Sequence, residues 1–299
     1  MGGWITQEQR VRRINLILSF IFLFRFVTAR DLSLLCSTIL GINMRRIAEY
    51  LLKNGFIGSF EIYDPVRTTG YYLLKEGLAR LPKSLLEYDY YFFPARYKSS
   101  MFWHGEGVIR AFLIFQKTAP KGYWMSEWMV RQDKVKIVGK KAMGGRLRWR
   151  KKGVLGGRLP DGMFVVGKKA RIAIEYEKTL KNTNNWERMI RDLEYGLKER
   201  EKIDLVTKDI VKGRNFEAVL FVFNEQQTFI TYLKKFDKYS RTGKEEMLEL
   251  GSLNETISLK RYFLSTLEEL KKGHVFRING EKINLSEVFN FVETVAANN

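Results

Sequence analysis

Two carboxylates stand where a hard divalent cation could be held. Asp161 follows Pro160 and precedes an apolar run, Gly162 to Val166. Glu175 lies inside a second run, Arg171 to Glu177. The intervening Gly167-Lys168-Lys169 reads as a tight turn, because glycine at its first position supplies the positive φ of a type II′ hairpin. Strand alternation puts Ala173, Glu175 and Glu177 on one face of the second run, and Ile172, Ile174 and Tyr176 on the other. Such a hairpin brings Asp161 and Glu175 together at a sheet edge. Two carboxylates helped by a backbone carbonyl suit Mg²⁺ or Mn²⁺. A metal held that way activates water and stabilises charge on a phosphodiester. The same residues also have a reading without chemistry. An Asp after Pro is a common turn residue, and Glu175 with Glu177 could be a solvated strand face.

The surroundings favour a polyanionic substrate. Lys134 to Pro160 contains ten basic residues and no acidic one, and it runs straight into Asp161. Lys140, Lys141, Arg146, Arg148, Arg150, Lys151 and Lys152 are suited to phosphates, and Trp149 to stacking on an exposed base. The glycines of this segment read as a mobile loop. Its alternative is a merely soluble excursion. Upstream, Glu127 lies among aromatic residues and is a candidate third carboxylate, or one that points to water. His104, near the start of an apolar helix from Phe102 to Gln116, is more simply a packing residue than a catalyst.

The 299 residues are 45% hydrophobic and 14% aromatic, enough for a substantial core and for two domains. The formal net charge is +19, which points to an acidic partner, nucleic acid first and an anionic membrane surface second. One cysteine, Cys36, and two histidines leave no basis for a cysteine-rich zinc site or an internal disulfide. This usage fits a reducing cytoplasm. Ile14 to Phe24 is apolar but too short to span a bilayer, and no small-residue cleavage site follows it cleanly. It reads as a buried helix.

The elements before Pro82 come in a definite order. A helix covers Gln7 to Phe26. Thr28 with Asp31 has the capping-box spacing and opens a short helix, Ala29 to Cys36. Asn43 caps a third helix, Met44 to Asn54, whose apolar side is Ile47, Leu51 and Leu52, and Gly55 stops it. Two strand-like runs follow, Phe56 to Tyr63 and Gly70 to Leu74. Three helices and then a hairpin is the order of a winged helix-turn-helix. In that arrangement the third helix enters the major groove, so Arg45 and Arg46 would reach DNA, with Arg67 at the wing tip. A winged helix used only for docking is the alternative. Pro82 to Ser100, with its Tyr-rich run, reads as the junction. After the central hairpin come an amphipathic helix from Asn184 to Lys202, a buried strand from Phe216 to Phe223, a helix from Gly251 to Leu270, and a small hairpin turning at Asn279-Gly280.

Pro160-Asp161 and Glu175-Tyr176-Glu177 resemble the PD and (D/E)XK elements of the PD-(D/E)XK nuclease fold, with Glu127 in the place of its upstream acidic residue. Together with the winged helix, the pattern over about residues 10 to 225 resembles the replication-relaxation proteins and the MobC-type mobilisation relaxases. There a helix near a His, an aromatic-flanked Glu, a PD element and an acidic strand end ending in Thr follow the winged helix. Here these are His104, Glu127, Asp161 and Glu175-Tyr-Glu177-Lys-Thr179. The resemblance implies an α/β (α+β) chain with a winged helix-turn-helix at 1–82, a linker at 83–100 and a PD-(D/E)XK nuclease-like domain at 101–299. It implies Mg²⁺ or Mn²⁺ on Asp161, Glu175 and Glu127. It also implies metal-dependent nicking of double-stranded or locally single-stranded DNA at an origin of transfer or replication, alongside other mobilisation or replication proteins. The chain departs from the pattern at one position, since Glu177 occupies the place of the motif lysine that orients the attacking water. Lys178 is adjacent but on the other strand face. Lys181, Arg188 or Arg191 could supply a displaced cation. Otherwise the fold serves DNA binding alone, and Glu177 could equally be an extra metal ligand.

Overall fold

The computed structural model describes residues 6–63, 67–92, 94, 99–130, 159–167, 170–197, 200–203, 210–240 and 259–297. The chain is mixed α/β and divides into two compact units, Met1–Leu113 and Ile114–Asn299.

In the first unit, helix α1 (Gln7–Phe24) is followed by strand β1 (Phe26–Thr28), helices α2 (Ala29–Leu35) and α3 (Met44–Lys53), strands β2 (Ile57–Tyr63) and β3 (Arg67–Leu73), and a short helix α4 (Lys75–Leu78). The strands form an antiparallel sheet in the order β1-β3-β2. The local chemistry that the sequence carries is present. Thr28 and Asp31 close a reciprocal capping box at the start of α2. The side chain of Asn43 accepts from the backbone of Arg45 and Arg46, and Gly55 turns the chain at φ 66°. The apolar run in α1 is core, since Ile14, Ile17, Leu18, Phe20, Ile21 and Phe22 are all buried. No helix among the described residues is long and apolar enough to cross a membrane. The buried face of α3 is Ala48 and Leu51, and Leu52 is exposed, so the expected stripe is turned about the helix axis.

Phe26–Thr28 is a strand rather than the end of α1. In the Tyr-rich run, Tyr90 is a packed residue, its hydroxyl donating to the Arg25 carbonyl and accepting from the Leu73 N–H at 3.1 Å. Phe92 stacks on Phe26.

The second unit is built on a seven-stranded sheet. Its strands are β4 (Tyr123–Ser126), β5 (Gly162–Val166), β6 (Ala170–Glu177), β9 (Ala218–Phe223), β10 (Tyr262–Thr266), β11 (His274–Arg277) and β12 (Lys282–Asn284), and their spatial order is β12-β11-β10-β9-β6-β5-β4. The central trio β6, β9 and β10 is parallel, and the outer pairings are antiparallel. A separate hairpin pairs β7 (Arg200–Ile203) with β8 (Ile210–Gly213). Helix α5 (Ser99–Thr118) contains the division between the units. Helices α6 (Thr183–Leu197), α7 (Gln226–Ser240), α8 (Leu267–Lys271) and α9 (Leu285–Ala297) follow in order.

Central parallel strands are buried on both faces, which explains their continuous apolar runs. One layer stacks Phe221 under Tyr232 and Phe236 of α7. The other sets Phe164 against Phe115 and against Phe289 of α9.

Two expectations are corrected here. The helix expected from Gly251 to Leu270 is, in its described part, a turn of 3-10 helix at Leu259–Arg261, then the fully buried strand β10, and helical only from Leu267 on. Its leucine spacing imitates a helix face, but parallel pairing to β9 decides the conformation. Helix α6 ends at Leu197 rather than Lys202, and the chain resumes as β7 at Arg200.

Candidate functional site

The carboxylates lie at one end of three adjacent strands. Ser126 of β4 pairs with Gly162 of β5, and Gly162 with Ile174 of β6. The next residues are Glu127, already helical, Asp161, in the bend before β5, and Glu175, within β6. The expected hairpin is present, with β5 paired to β6 and Gly167 at φ 59° in the turn between them. Lys168 and Lys169 lie outside the described residues.

Glu175 is fully buried and Glu177 is 3% exposed, so neither belongs to a solvated strand face. They share the face of β6 that carries, across the parallel ladder, Phe221 and Phe223. Placing carboxylates in such a layer is unfavourable unless charge or hydrogen bonding offsets the lost hydration. Apolar packing would select neither residue.

Asp161 is half-buried at the bend before β5. Its Oδ2 accepts the Tyr176 N–H at 2.8 Å. The β5–β6 ladder ends at Gly162 and Ile174, and the side chain of Asp161 extends it by one bond where the chain turns through Pro160. Glu177 accepts a charge-assisted hydrogen bond from Lys181 Nζ. The Lys181 carbonyl in turn accepts from Lys235 Nζ of α7 at 2.9 Å. Burial lowers the pKa of the Lys235 ammonium, and its charge sits 5.7 Å from the ring centres of both Trp186 and Tyr232. Lys235 was not singled out in the sequence. Nothing local marks it, because it reaches the site from a helix more than fifty residues away.

Lys178 is exposed in the bend after β6, and Glu127 is exposed in the helical residues 127–130 that follow β4. Arg188 is exposed on α6, and Arg191 is partly buried there. Among the described residues no group of three His, Cys, Asp or Glu side chains is placed to hold a metal ion. The set Asp161, Glu175 and Glu127 is therefore not gathered into a cage. Asp161 is half-buried, whereas Glu175 is fully buried, so only the first is open to an ion that keeps several waters.

In the first unit, Arg45 and Arg46 are exposed on α3. Arg45 Nε bonds Glu49 at 3.0 Å. Arg67, at the hairpin tip, pairs with Glu61, which also accepts from the Tyr63 hydroxyl. Arg67 is thus held by an acidic neighbour on the paired strand. Lys140, Lys141, Arg146, Arg148, Trp149, Arg150, Lys151 and Lys152 lie outside the described residues, and the side chain of His104 does too.

Comparison with protein-family models, with curated proteins and with solved structures gives no significant match to this chain.

Proposed function

We propose that this chain is a DNA-binding and DNA-processing protein of a mobile genetic element, with metal-dependent nicking or cleavage at an origin of transfer or replication. The observation that carries the reading is Asp161, in the bend before β5, accepting the N–H of Tyr176 beside Glu175 of β6 at one end of the sheet. In the sequence Asp161 directly follows the segment holding ten basic residues. The first unit supports it, since helix, strand, two helices and a hairpin on a three-stranded sheet is the order of a winged helix. In that arrangement α3 enters the groove and presents Arg45 and Arg46. Asp161, with the buried Glu175 as second carboxylate, would hold Mg²⁺ or Mn²⁺, whose contribution is to polarise a phosphodiester and acidify water. The chain's own residues position this edge. Tyr176 N–H orients the carboxylate of Asp161, and Lys181, fixed through its carbonyl by Lys235, neutralises Glu177 beside it.

A second reading is a DNA-binding accessory protein with no cleavage. It is favoured by the Lys181–Glu177 pair, which occupies the position of the motif lysine with a closed ion pair. A nicking assay on supercoiled plasmid bearing the cognate origin separates the two, with Mg²⁺ or Mn²⁺ against EDTA and wild type beside Asp161→Asn. Metal-dependent open circles from wild type alone support the enzyme. Retarded but uncut plasmid at that origin refutes it in favour of the binding protein.

A further inference from the structure

The opposite end of the large sheet carries a different constellation. Arg171 is the second residue of β6, Glu217 immediately precedes β9, Arg261 immediately precedes β10, and Arg214 follows β8. The starts of the three parallel strands thus bring charged residues together. The Arg171 N–H donates to Glu217 Oε2 at 2.6 Å, and the Glu217 N–H donates to the Arg171 carbonyl at 2.9 Å. Arg171, Arg214 and Arg261 all act electrostatically on the Glu217 carboxylate. Glu194 acts on Arg261 and accepts from the buried Tyr262 hydroxyl at 2.8 Å. Among the described residues three arginines thus interact with two carboxylates, each of which already accepts a hydrogen bond. Arg261 Nη1 is buried and has no hydrogen-bond partner among the described residues.

Burial raises the pKa of Glu217 and lowers that of Arg261; the neighbouring arginines oppose the first shift, and Arg214 adds to the second. A buried guanidinium donor without an acceptor is unfavourable by itself. A tetrahedral anion with several acceptor oxygens offsets both the surplus charge and the missing acceptor, and guanidinium forks match its geometry.

We propose that Arg171, Arg214 and Arg261, grouped around Glu217, form a phosphate-binding site at the starts of β6, β9 and β10. It is separate from the carboxylate edge and takes a phosphoryl group, either free or borne by a nucleic-acid strand. The site does not depend on metal binding at Asp161 and Glu175.

The test is urea unfolding of the full-length protein titrated with sodium phosphate, against sodium chloride at matched ionic strength. At about one hundred times its Kd, phosphate is expected to shift the unfolding equilibrium about hundredfold toward the native state. Chloride is expected not to. Arg214→Gln, at a partly exposed position, is expected to lose the phosphate shift while remaining folded in chloride, and Arg261→Gln serves as the second variant. An equal response to the two salts overturns the site, and so does a phosphate shift that survives in both variants. Competition arms identify the source. Displacement only by a 5′-phosphorylated dodecanucleotide places the group at a strand terminus. Displacement also by the unphosphorylated strand places it in the backbone, and displacement by neither leaves free phosphate.

Discussion

Replacing Asp161 with alanine and, separately, with asparagine distinguishes its work in the sheet from any work on a substrate. Its Oδ2 accepts the N–H of Tyr176, a residue that is 4% exposed, at 2.8 Å. Alanine leaves that buried donor without an acceptor, which costs about 1–3 kcal/mol. Asparagine keeps an oxygen in place and exchanges a charge-assisted bond for a neutral one, a loss of about 1 kcal/mol. Urea unfolding followed by tryptophan fluorescence, with m values checked for equality, is expected to rank wild type, Asp161→Asn and Asp161→Ala in falling stability. The alanine protein should have roughly tenfold more unfolded chain than the asparagine one. Equal stability of the two variants, or an alanine variant as stable as wild type, would refute the reasoning. The consequence for function is direct. Loss of nicking in Asp161→Ala cannot be separated from a frayed β5–β6 end, whereas loss in a stable Asp161→Asn reports on the charge.

Gly162→Ala should be destabilising, because a Cβ there would meet ring atoms of Trp124 at 2.0–2.9 Å. The expected loss is about 1–3 kcal/mol, read as a lower Tm. Asp31 is pushed by burial from 3.8 up to about 6. Its folded form therefore binds a proton more tightly than its unfolded form. The associated stability is complete below pH 3.8 and is lost as pH rises through about 6, by about 3 kcal/mol in all. A pH series of unfolding free energies should show this slope in wild type, and Asp31→Asn should flatten it. If α3 contacts phosphates, Arg45→Ala with Arg46→Ala should lower the slope of log K against log salt by about 2 in duplex binding. An unchanged slope would remove that helix from the interface.

The hairpin around Asp161 was legible because everything that defines it is local. Glycine sets the turn, alternation sets the faces, and turn plus faces set the register. The Thr28–Asp31 box and the Asn43 cap were legible for the same reason. Burial of Glu175 and Glu177 was not, because their face is covered by α7, whose position follows from the parallel pairing of β6 with β9. Strand β10 was missed because Tyr262 to Thr266 has a strand's composition beside a leucine-rich helical pattern, and only its distant partner decides between them. Arg171, Glu217 and Arg261 each stand at the start of a buried apolar run, a signal present in the sequence. Reading them as one cluster required knowing that the three runs lie side by side.

The pairing of Ser126 with Gly162 has a further consequence. The chain leaves β4 and re-enters β5 at neighbouring points of one ladder, so the connection between them begins and ends at the same place on the sheet. The entropy of closing such a connection grows only with the logarithm of its length. Shortening it fourfold changes the closure term by about 1.2 kcal/mol. Residues 134–158 contain ten of the positive charges, and their removal would take the net charge from +19 to +9. Loop length and charge between β4 and β5 thus enter the free energy by a different route from the strand pairing that flanks them.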